Sequence, residues 1–284
     1  MSALGEGQSK RLTLADAVKG GRNLPSRVVL HGQGGIGKTS WAAHAPDPFF
    51  LLSQGETGLQ TLIDNGQLKE TPNLEILDWE NTLSILEDLR TSQHSYKTLV
   101  LDVLDGFFNL AKTFVLRTQF KNDLGEKGYG GYSRGDRYLS GGPWRELLIA
   151  LDRVREEKRM SIICLVHSTI STYKNPAGPD YDRFVPNIYK DAWELTFAWA
   201  DLVMFGHFDV YAEKLEKSDR KAKGFGGEGR SLCAVNSAIA DAKNRHGLVD
   251  EIPMGNSGAE GWGNFKDALK AGRNSINTTT TEEK

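Results

Sequence analysis

The stretch HGQGGIGKTSW, residues 31–41, follows directly on the apolar run RVVL, residues 27–30. It contains Gly32-x-x-x-x-Gly37-Lys38-Thr39. A strand that ends in glycines and restarts as a helix wraps phosphates. The glycines let several backbone N–H groups converge on phosphate oxygens, and the positive helix N-terminus adds to them. In that arrangement Lys38 reaches the terminal phosphates and the Thr39 hydroxyl binds Mg²⁺. Gly32, Gln33, Gly34, Gly35, Ile36, Gly37, Lys38, Thr39 and Ser40 are the expected nucleotide cradle. The pattern names a ligand and leaves open what the chain does with it.

The rest of the chain alternates strand and helix signals. FFLLS (49–53), NLEILDW (73–79), KTLVLDV (97–103) and MSIICLVH (160–167) read as buried strands. TLSILEDLR (82–90), GFFNLAKTFVLRT (106–118) and GPWRELLIALDRVREEKR (142–159) carry helical spacing. Such alternation predicts an α/β fold, a mostly parallel twisted sheet flanked by helices. The core is expected over 26–255, behind an N-terminal arm (1–25) and ahead of a C-terminal helix and disordered tail (256–284). Two polar stretches, 121–142 and 168–187, read as long loops, which inside a domain are usually functional or disordered.

A net charge of −2 argues against a protein coated in basic surface but leaves a local basic groove open. Cys164 and Cys233 lie in apolar runs without metal-knuckle spacing and read as structural thiols. The six histidines share no spacing that would suggest a metal cluster. There is no apolar leader and no run of membrane-spanning length, so the cytoplasm is the expected location and no membrane partner is expected.

Asp102 ends the apolar run TLVL, which places a carboxylate at the strand edge where ligands of open α/β sheets bind. It reads as the acid that holds the Mg²⁺ water shell. Asp105 reads as a helix N-cap. No Glu follows Asp102, so the Asp-Glu tandem typical of AAA+ enzymes is missing. Glu56, just past the second strand, is instead the candidate general base, against a plain loop carboxylate. His167 ends a strand at the edge where Asp102 emerges; it reads as a structural histidine or, as similarity to RecA-like proteins implies, as a phosphate-sensing donor. Lys243 and Arg245, two residues apart, point to one face of a strand. They read as cations that act on a neighbouring subunit's nucleotide, or as a solvated strand end.

In this order the motifs resemble the RecA-like branch of phosphate-loop ATPases, and within it the phage and prophage proteins similar to the Sak-type single-strand annealing ATPases. The segments that carry the resemblance are Gly32–Thr39, Pro48–Glu56, Val100–Asp102, Cys164–His167, Tyr181–Pro186, Ala200–Asp201 and Ala242–Gly247. They span about residues 26–255; the first is specific, the others only by their order. Gln54 and the long 121–142 stretch depart from the pattern. The resemblance implies a RecA-like ATPase core that takes ATP and Mg²⁺. Lys38, Glu56, Asp102, His167, Lys243 and Arg245 would be its catalytic set, with Thr39 and Asp102 at the metal. It also implies a ring or filament of identical subunits, single-stranded DNA as partner, and a phage recombination or single-strand-binding protein beside it. Loops 121–142 and 168–190 would carry the DNA contacts, through Lys121, Arg134, Arg137, Lys174, Arg183 and Lys190 with tyrosines interleaved. The rivals are a nucleotide-switched scaffold and a helicase-loader-type ATPase that binds proteins and touches little DNA.

Overall fold

Successive side chains on a strand point to opposite faces, so a strand buried on both sides reads as an unbroken apolar run. The strand β1 (Arg27–Gly32) does so: Val28 and Leu30 enter one core, and Val29 enters the other. The same alternation runs through β2 (Pro48–Ser53), β4 (Thr98–Asp102) and β5 (Ser161–Tyr173), with β3 (Asn73–Ile76) at the sheet's margin. The computed structural model describes residues 13–17, 20–213 and 223–282. Most of the expected N-terminal arm, residues 1–12 and 18–19, lies outside them.

The remaining strands are β6 (Tyr181–Pro186), β7 (Leu202–Glu213), β8 (Lys223–Cys233), β9 (Lys243–Asn244) and β10 (Glu251–Pro253). The helices are α1 (Lys38–Ala42), α2 (Gly58–Asp64), α3 (Trp79–Thr91), α4 (Leu104–Phe120), α5 (Arg134–Leu139), α6 (Arg145–Lys158), α7 (Lys190–Trp199) and α8 (Gly258–Glu282). The sheet order is β10-β8-β7-β1-β5-β4-β2-β3. From β7 to β3 every neighbouring pair is parallel, and β8, β9 and β10 join antiparallel. One core, on the face of Val29, Leu51 and Leu101, holds side chains of α3, α4, α6 and α7; the other, on the face of Leu30, Phe50 and Val100, holds those of α1, α2 and α8. The expected mostly parallel sheet flanked by helices is therefore what the chain forms. The carboxyl ends of β1, β2, β4 and β5 meet along one edge, which is where a ligand binds in such a sheet.

Both expected loops are structured. Residues 168–187 form an antiparallel arm. β5 runs on past His167, and β6 pairs with it from Ser168↔Pro186 to Tyr173↔Tyr181. The β5 half of the arm is exposed from Thr169 to Tyr173, so it lacks the alternating apolar signal of a packed strand. Residues 121–142 fold back on α4 through a short turn, α5 and a widened turn that leads into α6. Tyr129, expected to stack on a partner, is instead buried; its hydroxyl donates to Asp136 at 2.6 Å. Gly135 passes so close to that ring that a β-carbon there would lie 2.3 Å from it. Tyr132, by contrast, is 93% exposed.

The tail expected to be disordered is mostly helical, because α8 continues to Glu282. Extending a nucleated helix fixes one residue per added hydrogen bond, so a docked helix propagates through polar sequence that would not start one. The dock is aromatic: Trp262 and Phe265 pack on Trp41 of α1 at 4.9 and 5.1 Å between ring centroids. Among the described residues, no helix is long and apolar enough to cross a membrane.

Candidate nucleotide-binding and catalytic site

The loop between β1 and α1 turns through two glycines with positive φ, Gly35 at 79° and Gly37 at 99°, a region closed to most side chains. Gly37 opens α1, so the next residues present the first turn of a helix. Lys38 is buried and its Nζ donates to the carbonyls of Gly32 and Gln33, both at 3.0 Å. Burial holds its ammonium below the usual lysine range, while Asp102, Asp105 and Glu56 pull the other way.

Thr39 Oγ1 donates to Asp102 Oδ2 at 2.8 Å. The two residues come from α1 and from the end of β4, and the sheet order brings them together across β5. Asp102 is 2% exposed, and its Oδ1 accepts no hydrogen bond from the described residues. Burial pushes its carboxyl up to about 6, against the Thr39 hydrogen bond; Glu56 pushes it further and Lys38 opposes. A buried carboxylate with one oxygen on the loop threonine and one unpartnered suits a hydrated divalent cation. Thr39 and Asp102 are the residues that would hold Mg²⁺, which supplies charge neutralisation between phosphate oxygens.

Glu56 and His167 line the same cleft as Gly35, Gly37, Lys38, Thr39, Ser40 and Asp102. The structure thus gathers the phosphate loop, the candidate metal acid, the candidate base and the candidate sensor around one volume of about 820 Å³. Gln33, whose carbonyl accepts from Lys38 within the loop, also lines a neighbouring cleft with Phe184, Phe205 and His207. Asp105 departs from its expected role. It lies inside the first turn of α4, whose N-cap is Val103. Its two oxygens accept from the His167 backbone N–H and pair with Nδ1, each at 3.1 Å.

Lys243 and Arg245 lie at the opposite edge. β9 pairs with the start of β7 (Leu202↔Asn244), beside Val28 at the start of β1. Lys243 Nζ donates to the carbonyls of Phe197 and Ala198 at 2.6 and 2.9 Å. Arg245 sits 3.6 Å from Asp201, which also pairs with Arg27 and Arg155. Neither is near its own chain's phosphate loop. The six residues expected to touch DNA divide into two groups. Lys121, Arg134 and Arg137 border the α4–α5 turn, whereas Lys174, Arg183 and Lys190 lie on the β5–β6 arm and the start of α7. Two of them are paired internally: Arg183 with Asp241 at 2.7 Å and Lys174 with Asp180 at 2.6 Å.

The sequence reading missed one wall of the cleft. Arg230 on β8 donates to the carbonyls of Ile36 and Gly255, at 3.4 and 2.9 Å. Asn256, Ser257, Gly258 and Ala259, at the start of α8, complete that side. A β-carbon at Gly258 would lie 2.3 Å from the Ser40 carbonyl oxygen, so only glycine lets α8 approach the phosphate-loop helix. That glycine was the available signal, though nothing in the spacing tied it to residues about two hundred positions earlier. Gly258→Ala is expected to lower unfolding free energy by about 1–3 kcal/mol. Urea unfolding followed by tryptophan fluorescence checks this; an unchanged midpoint would show that α8 packs more loosely.

A family model described as an AAA domain matches residues 24–246. No curated protein matches the chain. The matched span takes in the phosphate loop, Glu56, Asp102, His167 and the Lys243–Arg245 pair, and it stops short of α8. With most of its length inside that match and a strand–loop–helix phosphate cradle at its centre, this chain belongs to the AAA domain family of phosphate-loop proteins.

Proposed function

We propose that the protein hydrolyses ATP with Mg²⁺ and uses the cycle to act on single-stranded DNA, in recombination or annealing of the phage Sak type. The observation that carries the hydrolytic part is the meeting of Lys38, the Thr39–Asp102 pair, Glu56 and His167 on one cleft. Lys38 and the helix N-terminus bind the phosphates. Glu56 orients and deprotonates the attacking water, and His167 contacts the terminal phosphate.

Assembly completes the site in this reading. Lys243 and Arg245 sit on the sheet edge away from their own loop, so a nucleotide that they reach belongs to the next subunit. Lysine held on two carbonyls and arginine held by Asp201 are pre-oriented cations, which suits stabilisation of transition-state charge in trans. Arg245→Ala should cut turnover about 10³-fold while ATP affinity changes only a few-fold. Steady-state ATPase assays over a range of protein concentrations, with and without an oligonucleotide, check both parts. Turnover that is linear in enzyme, or an Arg245→Ala variant of full activity, removes the trans site.

A second reading is a helicase-loader-type ATPase that binds proteins with little DNA contact. The internal pairing of Arg183 and Lys174 favours it, because two of the six expected DNA cations are already neutralised. Absence of oligonucleotide binding at low salt would select this reading over the first.

A further inference from the structure

His167 and Asp105 form a unit that neither the motif order nor the family match assigns. A carboxylate only accepts hydrogen bonds, so the His167 nitrogen that faces Asp105 Oδ2 at 3.1 Å must carry its hydrogen. The other Asp105 oxygen takes the His167 backbone N–H at 3.1 Å, which fixes the residue at both backbone and ring. Asp105 is itself held in the first turn of α4 and is 9% exposed. Nε2 is therefore the ring atom left for the cleft, and Nδ1–H is committed.

We propose that Asp105 is a positioning residue that locks the His167 ring with Nδ1–H inward and Nε2 toward the terminal phosphate, so that His167 donates there as an imidazolium. This rests on the reading above that the cleft binds ATP and that His167 faces its terminal phosphate. A neutral ring with hydrogen on Nδ1 would present a lone pair from Nε2 to the phosphate oxygens, which repel it. Only the doubly protonated ring both satisfies Asp105 and donates to phosphate. The surroundings agree. The hydrogen bond to Asp105 raises the His167 value above the usual imidazole range against its partial burial, Lys38 lowers it, and Glu56 raises it. Asp102 is the remaining charge that faces this ring. Burial raises the Asp105 value, but the side-chain and backbone hydrogen bonds of His167 outweigh it and hold the carboxyl below its usual range. A glutamine at position 167 would donate without a charge and would not titrate.

The sign of the pH dependence follows. An imidazolium donor is lost as pH rises through the His167 value, so turnover falls on the alkaline side. The experiment is the turnover–pH profile of the full chain with saturating MgATP, for wild type, Asp105→Asn, His167→Gln, His167→Ala and the double variant Asp105→Asn/His167→Gln. Asp105→Asn should move the alkaline limb to lower pH and reduce turnover at pH 8 about tenfold, with ATP affinity little changed. His167→Gln should abolish that limb, and adding Asp105→Asn to it should then have no effect on the profile's shape. An Asp105→Asn profile that superimposes on wild type, while His167→Ala is impaired, overturns the proposal and leaves the sensor reading standing. His167→Ala with wild-type turnover overturns the sensor reading itself. An activity limb that His167 controls but that falls toward acid pH would make the ring a base, and would also overturn the proposal. If Asp105→Asn fails to fold, the alkaline limb of wild type and its loss in His167→Gln still decide whether the ring donates as an imidazolium.

Discussion

Replacing Asp102 by asparagine should stop turnover and make the nucleotide-free protein more stable. Turnover is expected to fall on the order of 10²–10³-fold, because the metal loses its anionic anchor and phosphate charge is no longer neutralised in place. The stability gain has the opposite origin. Asp102 is 2% exposed and its carboxyl is raised from 3.8 to about 6 in the folded chain. A raised folded value means that the stabilisation is fully present below the unfolded value and is lost as pH rises through about 6. At pH 8 the folded protein therefore carries the full cost of a buried charge. The asparagine side chain would remove that cost and could still accept from Thr39, for a gain of about 1–3 kcal/mol, the lower end reflecting the lost attraction to Lys38. Urea unfolding without Mg²⁺ or nucleotide, at pH 4 and pH 8, checks it: the variant's advantage should be large at pH 8 and small at pH 4, close to the unfolded value. Equal effects at both pH values would show that the carboxylate is better solvated than its burial indicates.

Lys38→Ala should have the second large effect. The ammonium is held by two carbonyls of its own loop, at 3.0 Å from both Gly32 and Gln33. Truncation removes the charge that meets the terminal phosphates, and turnover is expected to fall about 10²–10³-fold. It also leaves two carbonyls short of a donor, which costs about 1–3 kcal/mol if water does not replace it. Single-turnover hydrolysis together with direct nucleotide binding separates the two consequences. Unchanged turnover at saturating ATP would mean that the cleft does not hold phosphates in the manner described. Lys38→Arg should not rescue, since a planar fork does not fit where a point charge is held between two carbonyls.

How much of this was legible in the sequence depended on whether a residue's partner was local. The phosphate loop is a contiguous signal, since strand, glycines, lysine and threonine all lie within 13 residues, Arg27 to Thr39. β1, β2, β4 and β5 announce themselves because strands buried on both faces are continuously apolar. Asp102 and Glu56 follow from strand ends. Asp105 was misassigned because an acid in the first turn after a strand looks like a cap. Its real partner, His167, lies 62 residues away, and no local pattern records that. The β5–β6 arm escaped for a different reason: with its β5 half exposed, its alternation of Thr, Ile and Tyr carries propensity but no hydrophobic period. Helices α2, α5 and α7 are short or interrupted by glycine and aromatic residues, which blurs the 3.6-residue period. The Arg230–α8 wall was invisible because it joins the two ends of the chain.

The continuity of β5 has a mechanical meaning. His167 is the last residue that pairs with β1 (Gly32↔His167), and Ser168 is the first that pairs with β6. Upstream the strand is clamped between two neighbours; downstream it projects with one. The Asn187 backbone N–H donates to the His167 carbonyl at 2.8 Å, which ties the returning strand to the same point. On its other side β6 is tied to a further segment: the Phe184 N–H donates to the Ile239 carbonyl at 2.8 Å and Arg183 pairs with Asp241 at 2.7 Å. Six residues from Ser168 to Tyr173 span about 20 Å, so the arm's tip lies well away from the cleft. One strand thus joins the residue at the nucleotide cleft, through its partner β6, to a second layer of chain, residues 237–241.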